Sequence, residues 1–217
     1  MFFVLPVEEG KPPRRFPLVN ILLIALNTYV FFETASQPDF DKLVFHYGFT
    51  PAHPHVQNVI SAMFLHAGLL HLLGNMYFLY VFGRNVEARL GSFTYLWVYL
   101  AAGLGAAYLQ YSIDPHSKIP MLGASGAISG ICGLYMAMFP WAKMRWQFFF
   151  LIFPIFAIPS RAIFVVGLWF AEQYLFAIMA GSAASGGVAF WAHVGGFLTG
   201  LALYPFVFVD KPKRSNG

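Results

Sequence analysis

The chain has 217 residues, of which 59% are hydrophobic, 19% aromatic and only 10% charged. A soluble domain usually carries about 25% charged residues, and so little charge cannot solvate so apolar a chain. This excludes a soluble enzyme, a disordered chain and a coiled coil, while the single cysteine, Cys132, excludes a disulfide scaffold. The net charge of +4 is not a nucleic-acid signature. No basic stripe alternates with solvent-facing aromatics, so no nucleic-acid partner is expected. The composition is that of an integral membrane protein.

Three regions are expected: a cytoplasmic segment 1–16, a membrane domain 17–209 and a cytoplasmic tail 210–217. Met1 to Arg15 does not read as a cleavable signal, because its prolines and charges precede the apolar run. A crossing helix needs about 20 apolar residues. The first candidate span is Pro17 to Ala35, and the second is His66 to Gly83. The third is Ser92 to Tyr111, with Ser92 as its cap, and the fourth is Ser125 to Pro140. The fifth is Ser160 to Met179 and the sixth Gly187 to Val209. Six crossings put both termini on one side. Eleven of the thirteen basic residues then fall in the cytoplasm, all but Lys42 and Lys118. The apolar stretch 146–159, interrupted by Pro154 and Pro159, is expected to be interfacial or re-entrant on that side.

Polar side chains inside spans are functional suspects. His71 and Asn75 are four residues apart and share a helix face, whereas His66 lies about 140° round from His71. As residues alone, they suit interhelical hydrogen bonding more than a reaction site. Ser125 opens a span too short to reach the outer surface. Its sixteen residues make about 24 Å of helix against about 30 Å of hydrocarbon. Ser125 is then either a simple N-cap or a hydroxyl at the floor of a wet cavity, beside the positive end of a helix dipole. Gly126-x-x-x-Gly130 and Gly196-x-x-x-Gly200 are smooth ridges that would let spans four and six approach closely and bring His193 to Ser125. A histidine can take a serine's proton and return it to a leaving amine. Every Asp lies in a loop or tail and the only acids inside spans are Glu33 and Glu172, so a Ser–His dyad is expected rather than a triad. Cys132 is read as an inert buried thiol.

The ordered motifs His66-x4-His71-x3-Asn75, Gly123-Ala124-Ser125-Gly126 and Ala192-His193-x2-Gly196-x3-Gly200 resemble those of rhomboid intramembrane serine proteases. The resemblance covers His66 to Gly200. It implies an all-α fold, a polytopic six-transmembrane-helix bundle. It implies Ser125 as nucleophile, His193 as general base, and His71, Asn75 and the Ser125 backbone as oxyanion hole. Gly123 matches a loop-shaping glycine, and Gly126, Gly196, Gly200 and His66 are expected to support the site. Glu87 and Arg89 resemble a structural motif at a helix end, and Trp169 and Phe170 an aromatic pair on a substrate gate. Some members carry an aromatic four residues after the nucleophile, stacked on the catalytic histidine; here that residue is Ser129. A Trp-Arg pair in the first external loop is also missing.

The expected activity is hydrolysis of peptide bonds in or near transmembrane segments of other membrane proteins. The expected partners are such substrates and the lipid bilayer, and the expected location is a bacterial cytoplasmic membrane. No cofactor or metal is expected. A non-catalytic rhomboid-like protein, a small transporter and a metalloprotease are the alternatives; the last lacks a His-Glu-x-x-His motif.

Overall fold

The structure, a computed structural model, describes residues 2–10, 13, 15–181 and 189–207. The chain opens with strand β1 (Phe2–Glu8) and helix α1 (Leu18–Thr34), then two short helices, α2 (Phe40–Tyr47) and α3 (Val56–Ala62). Helix α4 (Leu69–Phe78) continues through a π-helical turn (Leu79–Gly83) into α5 (Arg84–Leu90). There follow α6 (Ser92–Ile113), α7 (Ser125–Met138), strands β2 (Lys143–Phe150) and β3 (Phe153–Arg161), α8 (Ala162–Ala180) and α9 (Phe190–Leu203), which ends in a 3-10 turn, Tyr204–Phe206.

Helix α7 is the axis of the bundle. Every residue from Ala127 to Tyr135 is buried, as befits a helix that is apolar on all sides. The two glycine ridges meet backbone to backbone. A Cβ added at Gly196 would strike the Gly126 carbonyl, and one at Gly200 the Gly130 carbonyl. On the other flank Gly126 and Gly130 face Ala106 and Ala102 of α6. Small residues thus let three helices approach closely enough for dispersion contacts to hold them without help from the hydrophobic effect.

The second span differs from expectation at both ends. His66 precedes the helix, because Gly68 is extended (φ −177°, ψ 167°) and α4 starts at Leu69. The rod then passes Gly83 through the π-helical turn and stops at Leu90, where Gly91 takes φ +82°. Ser92 does not cap α6: Gly91 occupies that position, and the Ser92 hydroxyl donates to Glu87 Oε1 at 2.6 Å. Both ends of the expected sixth span, Gly187 and Val209, lie outside the described residues, as does the tail 210–217.

The all-α expectation is corrected by a three-stranded antiparallel sheet in the order β1-β2-β3. Glu8 pairs with Met144 and Phe2 with Phe150, while Lys143 pairs with Arg161. The segment 146–159 is therefore the greater part of a β-hairpin, and residues 2–8 join it. The physical reason is local as well as long-range. Lys143–Phe150 is rich in aromatics that suit a pleated surface. Pro6, Pro154 and Pro159 all fall on the outer strands β1 and β3, where a missing N–H costs no central ladder bond.

Candidate active site

The loop before α7 is fastened on two sides. Phe49 and Met121 exchange backbone hydrogen bonds of 3.0 and 2.8 Å, and Gly123 N donates to Ala62 O at 2.8 Å. Gly123 takes φ +116°, a conformation that L side chains rarely adopt. The chain then enters α7 at Ser125. Ala124 holds the cap position, and no side chain caps this end. The first ladder bond runs from Ile128 N to Ala124 O at 3.0 Å, which leaves the N–H groups of Ser125, Gly126 and Ala127 outside the helix ladder.

The Ser125 hydroxyl is engaged elsewhere. Its Oγ lies 2.8 Å from His193 Nε2, across the glycine contact between α7 and α9. His193 Nδ1 lies 2.7 Å from Gln173 Oε1 of α8. Both Ser125 and His193 border a cavity of about 690 Å³, which is also lined by His71, Asn75, Gly123 and Trp169. His71 and Asn75 sit together on α4, opposite Gly123. A Cβ at Gly123 would come within 2.7 Å of the His71 ring and 3.6 Å of Asn75 Nδ2. Asn75 is buried, and its Nδ2 has no hydrogen-bond partner among the described residues. A donor in that state needs an acceptor from a ligand or water.

His66 is fully buried behind this group, its ring 5.0 Å from that of His71 in an edge-to-face arrangement. Trp169 and Phe170 have different ring partners. Trp169 faces Phe78 of α4 at 5.8 Å and His193 at 6.4 Å, tilted by 30° from the imidazole. Phe170 turns away and stacks on Phe197 of α9 at 4.0 Å. Phe190 also meets His193, edge-on at 6.2 Å. Ser129, where an aromatic was sought, donates its hydroxyl to Ser125 O at 2.7 Å. Glu172 is exposed on α8, and Cys132 is fully buried. Sequence reasoning missed Gln173. Its signal was an amide one turn beyond Trp169 in an otherwise apolar span, next to the more conspicuous Glu172.

A family model described as the Rhomboid domain matches residues 53–210. The chain belongs to the rhomboid family. Its relatives include Rhomboid-like protein 11, chloroplastic, of Arabidopsis thaliana, 27% identical over 96% of this chain and 74% of the relative. RHOMBOID-like protein 6, mitochondrial, of the same plant is 31% identical over 71% of this chain and 44% of its own length. Rhomboid protease GluP of Bacillus subtilis is 38% identical over 82 residues, 37% of this chain and 16% of its own length. The chain thus spans less than half the length of the last two. As a rhomboid it is a polytopic helical protein of the membrane. Among the described residues, two helices, α6 and α8, are by length and composition alone apolar enough to cross. The relatives come from plant organelles as well as a bacterium, so they lend no support to a bacterial inner membrane in particular.

Proposed function

We propose that this rhomboid is an intramembrane serine endopeptidase that cleaves other membrane proteins in or near their transmembrane segments. The observation that carries the reading is the 2.8 Å approach of Ser125 Oγ to His193 Nε2 beside a cavity of about 690 Å³. Two relatives from Bacillus subtilis with protease in their names support it.

In this reading His193 Nε2 accepts the Ser125 proton as Oγ attacks the scissile carbonyl. The oxyanion that forms meets the Ser125 N–H at the α7 dipole end, Asn75 Nδ2 and the His71 ring. His193 then gives its proton to the leaving amine, and water entering the cavity hydrolyses the acyl-enzyme. Gly123, Gly126, Gly196 and Gly200 supply the close approach, His66 braces His71, and Trp169 stands beside the path between α4 and α8. No metal or cofactor takes part.

The six crossings are α1, the rod from α4 to α5, α6, α7, α8 and α9, with both termini cytoplasmic as the basic residues suggest. The 14 residues of α7 make about 21 Å of helix against about 30 Å of hydrocarbon, so Ser125 lies below the outer surface. A stable helix hides its carbonyls in hydrogen bonds, so substrates carry helix-weakening residues near the cut.

The test is labelling with a fluorophosphonate together with cleavage of a model transmembrane substrate by the purified chain. Ser125→Ala is expected to lose both, and His193→Ala to fall by at least a thousandfold, on the order of the losses seen for serine-protease triads. Cleavage that persists in Ser125→Ala would overturn the reading.

A further inference from the structure

A carboxamide inside an apolar helix needs a hydrogen-bond partner, because hydrocarbon supplies none in place of water. Gln173 is buried on α8, and its Oε1 finds the Nδ1 of His193 at 2.7 Å. A neutral imidazole carries one N–H, and an amide oxygen can only accept. With the amide oxygen turned toward the ring, the hydrogen sits on Nδ1. Nε2 is then left with its lone pair directed at Ser125 Oγ, 2.8 Å away. The other tautomer would need the amide turned so that its Nε2 donates to Nδ1, and it would offer serine a donor instead of a base.

We propose that Gln173 is a positioning residue which fixes the tautomer and ring plane of His193. The proposal rests on the Ser125–His193 reading above and extends it to a third side chain. Trp169 and Gln173 are one turn apart on α8 and reach the same imidazole, one by its ring and the other by its amide. Phe190 also meets this ring, edge-on at 6.2 Å. Together these three flank a ring that has Ser129 where some family members place an aromatic. An amide differs from the carboxylate of a full triad in bearing no charge. It orients the imidazole without drawing a second proton onto it. The titratable groups near His193 are His71 on α4, with His66 behind it, and Glu172 is exposed on α8.

The experiment uses the full chain in detergent micelles with ¹⁵N-labelled histidine. The His193 signals are assigned by difference from His193→Ala, and kcat and KM for a model transmembrane substrate are followed against pH. The parent is expected to show the Nδ1–H tautomer. Gln173→Leu should give mixed tautomers and a kcat lowered about 10- to 100-fold, with KM within about twofold. Gln173→Glu should regain activity over the leucine variant and move the acid limb of the profile to higher pH, because a carboxylate stabilises the imidazolium. An unchanged tautomer with kcat within about twofold in Gln173→Leu would overturn the proposal. So would leucine and glutamate variants equally damaged with the same acid limb. The tautomer is read without turnover. Activity surviving in Ser125→Ala would therefore defeat the protease reading while leaving the spectra to judge Gln173.

Discussion

Gly123 shows how much one missing side chain can decide. At φ +116° an alanine would be strained, and its methyl would press into the His71 ring. Gly123→Ala is expected to cost about 1–3 kcal/mol of stability. Its cleavage per folded molecule should fall by at least about tenfold, since a displacement of about 1 Å near a reacting centre carries a penalty of that order or more. Thermal unfolding and turnover measured on the same preparation check both. That Ser125, His193, His71 and Asn75 line one cavity was foreshadowed in the sequence, because polar side chains are conspicuous in apolar spans and the family motifs group them. Gln173 was not. Its meaning lies in a 2.7 Å contact to a residue 20 positions away, and a neighbouring carboxylate drew attention from it. The ring beside His193 was equally hidden: with Ser129 in the place where some family members have an aromatic, nothing in the sequence pointed to Trp169 on a different helix.

At the scale of elements, Glu87 joins three of them. Its carboxylate accepts from Val19 N at 2.9 Å, Asn20 N at 2.7 Å and the Ser92 hydroxyl at 2.6 Å. It therefore satisfies the otherwise orphaned donors in the first turn of α1 and sits against that helix's positive end. Glu87→Ala strands those donors in a buried place, and a loss of about 2–4 kcal/mol is expected. A fall in thermal midpoint in micelles checks it, with Glu87→Gln lying between the two. The helices α1, α6, α7 and α8 could be read from apolar runs and their punctuation to within a few residues. The sheet could not. Its prolines look like breakers to a local reading, and only the pairing of β2 between two edge strands makes them acceptable.

On the scale of the whole molecule, β1 straps the start of the chain to the bundle. Glu8 accepts from the Tyr135 hydroxyl of α7 at 2.6 Å and from Arg84 at 3.2 Å, and also from Asn85. Tyr77 of α4 donates to Pro6 O at 2.9 Å. Glu8→Ala unpairs a largely buried arginine and a buried phenol together. It is expected to lower stability by about 2–4 kcal/mol, seen as faster proteolysis of the β2–β3 hairpin and a lower thermal midpoint. Nothing in the pattern of residues 2–8 alone announces this role, because the partners lie in α4, α5, α7 and β2.

The strap also sets an order of events during synthesis. The first strand leaves the ribosome long before its mate, since Glu8 must wait for Met144. At about 5–20 residues per second the delay is on the order of 7–30 s. Throughout that interval an apolar ribbon with unpaired edges hangs from the nascent chain, a template for wrong pairing unless a chaperone or the headgroup region shelters it. The ladder can close only after the α7 segment has been made, and it can do so before α8 and α9, which complete the bundle, have left the ribosome.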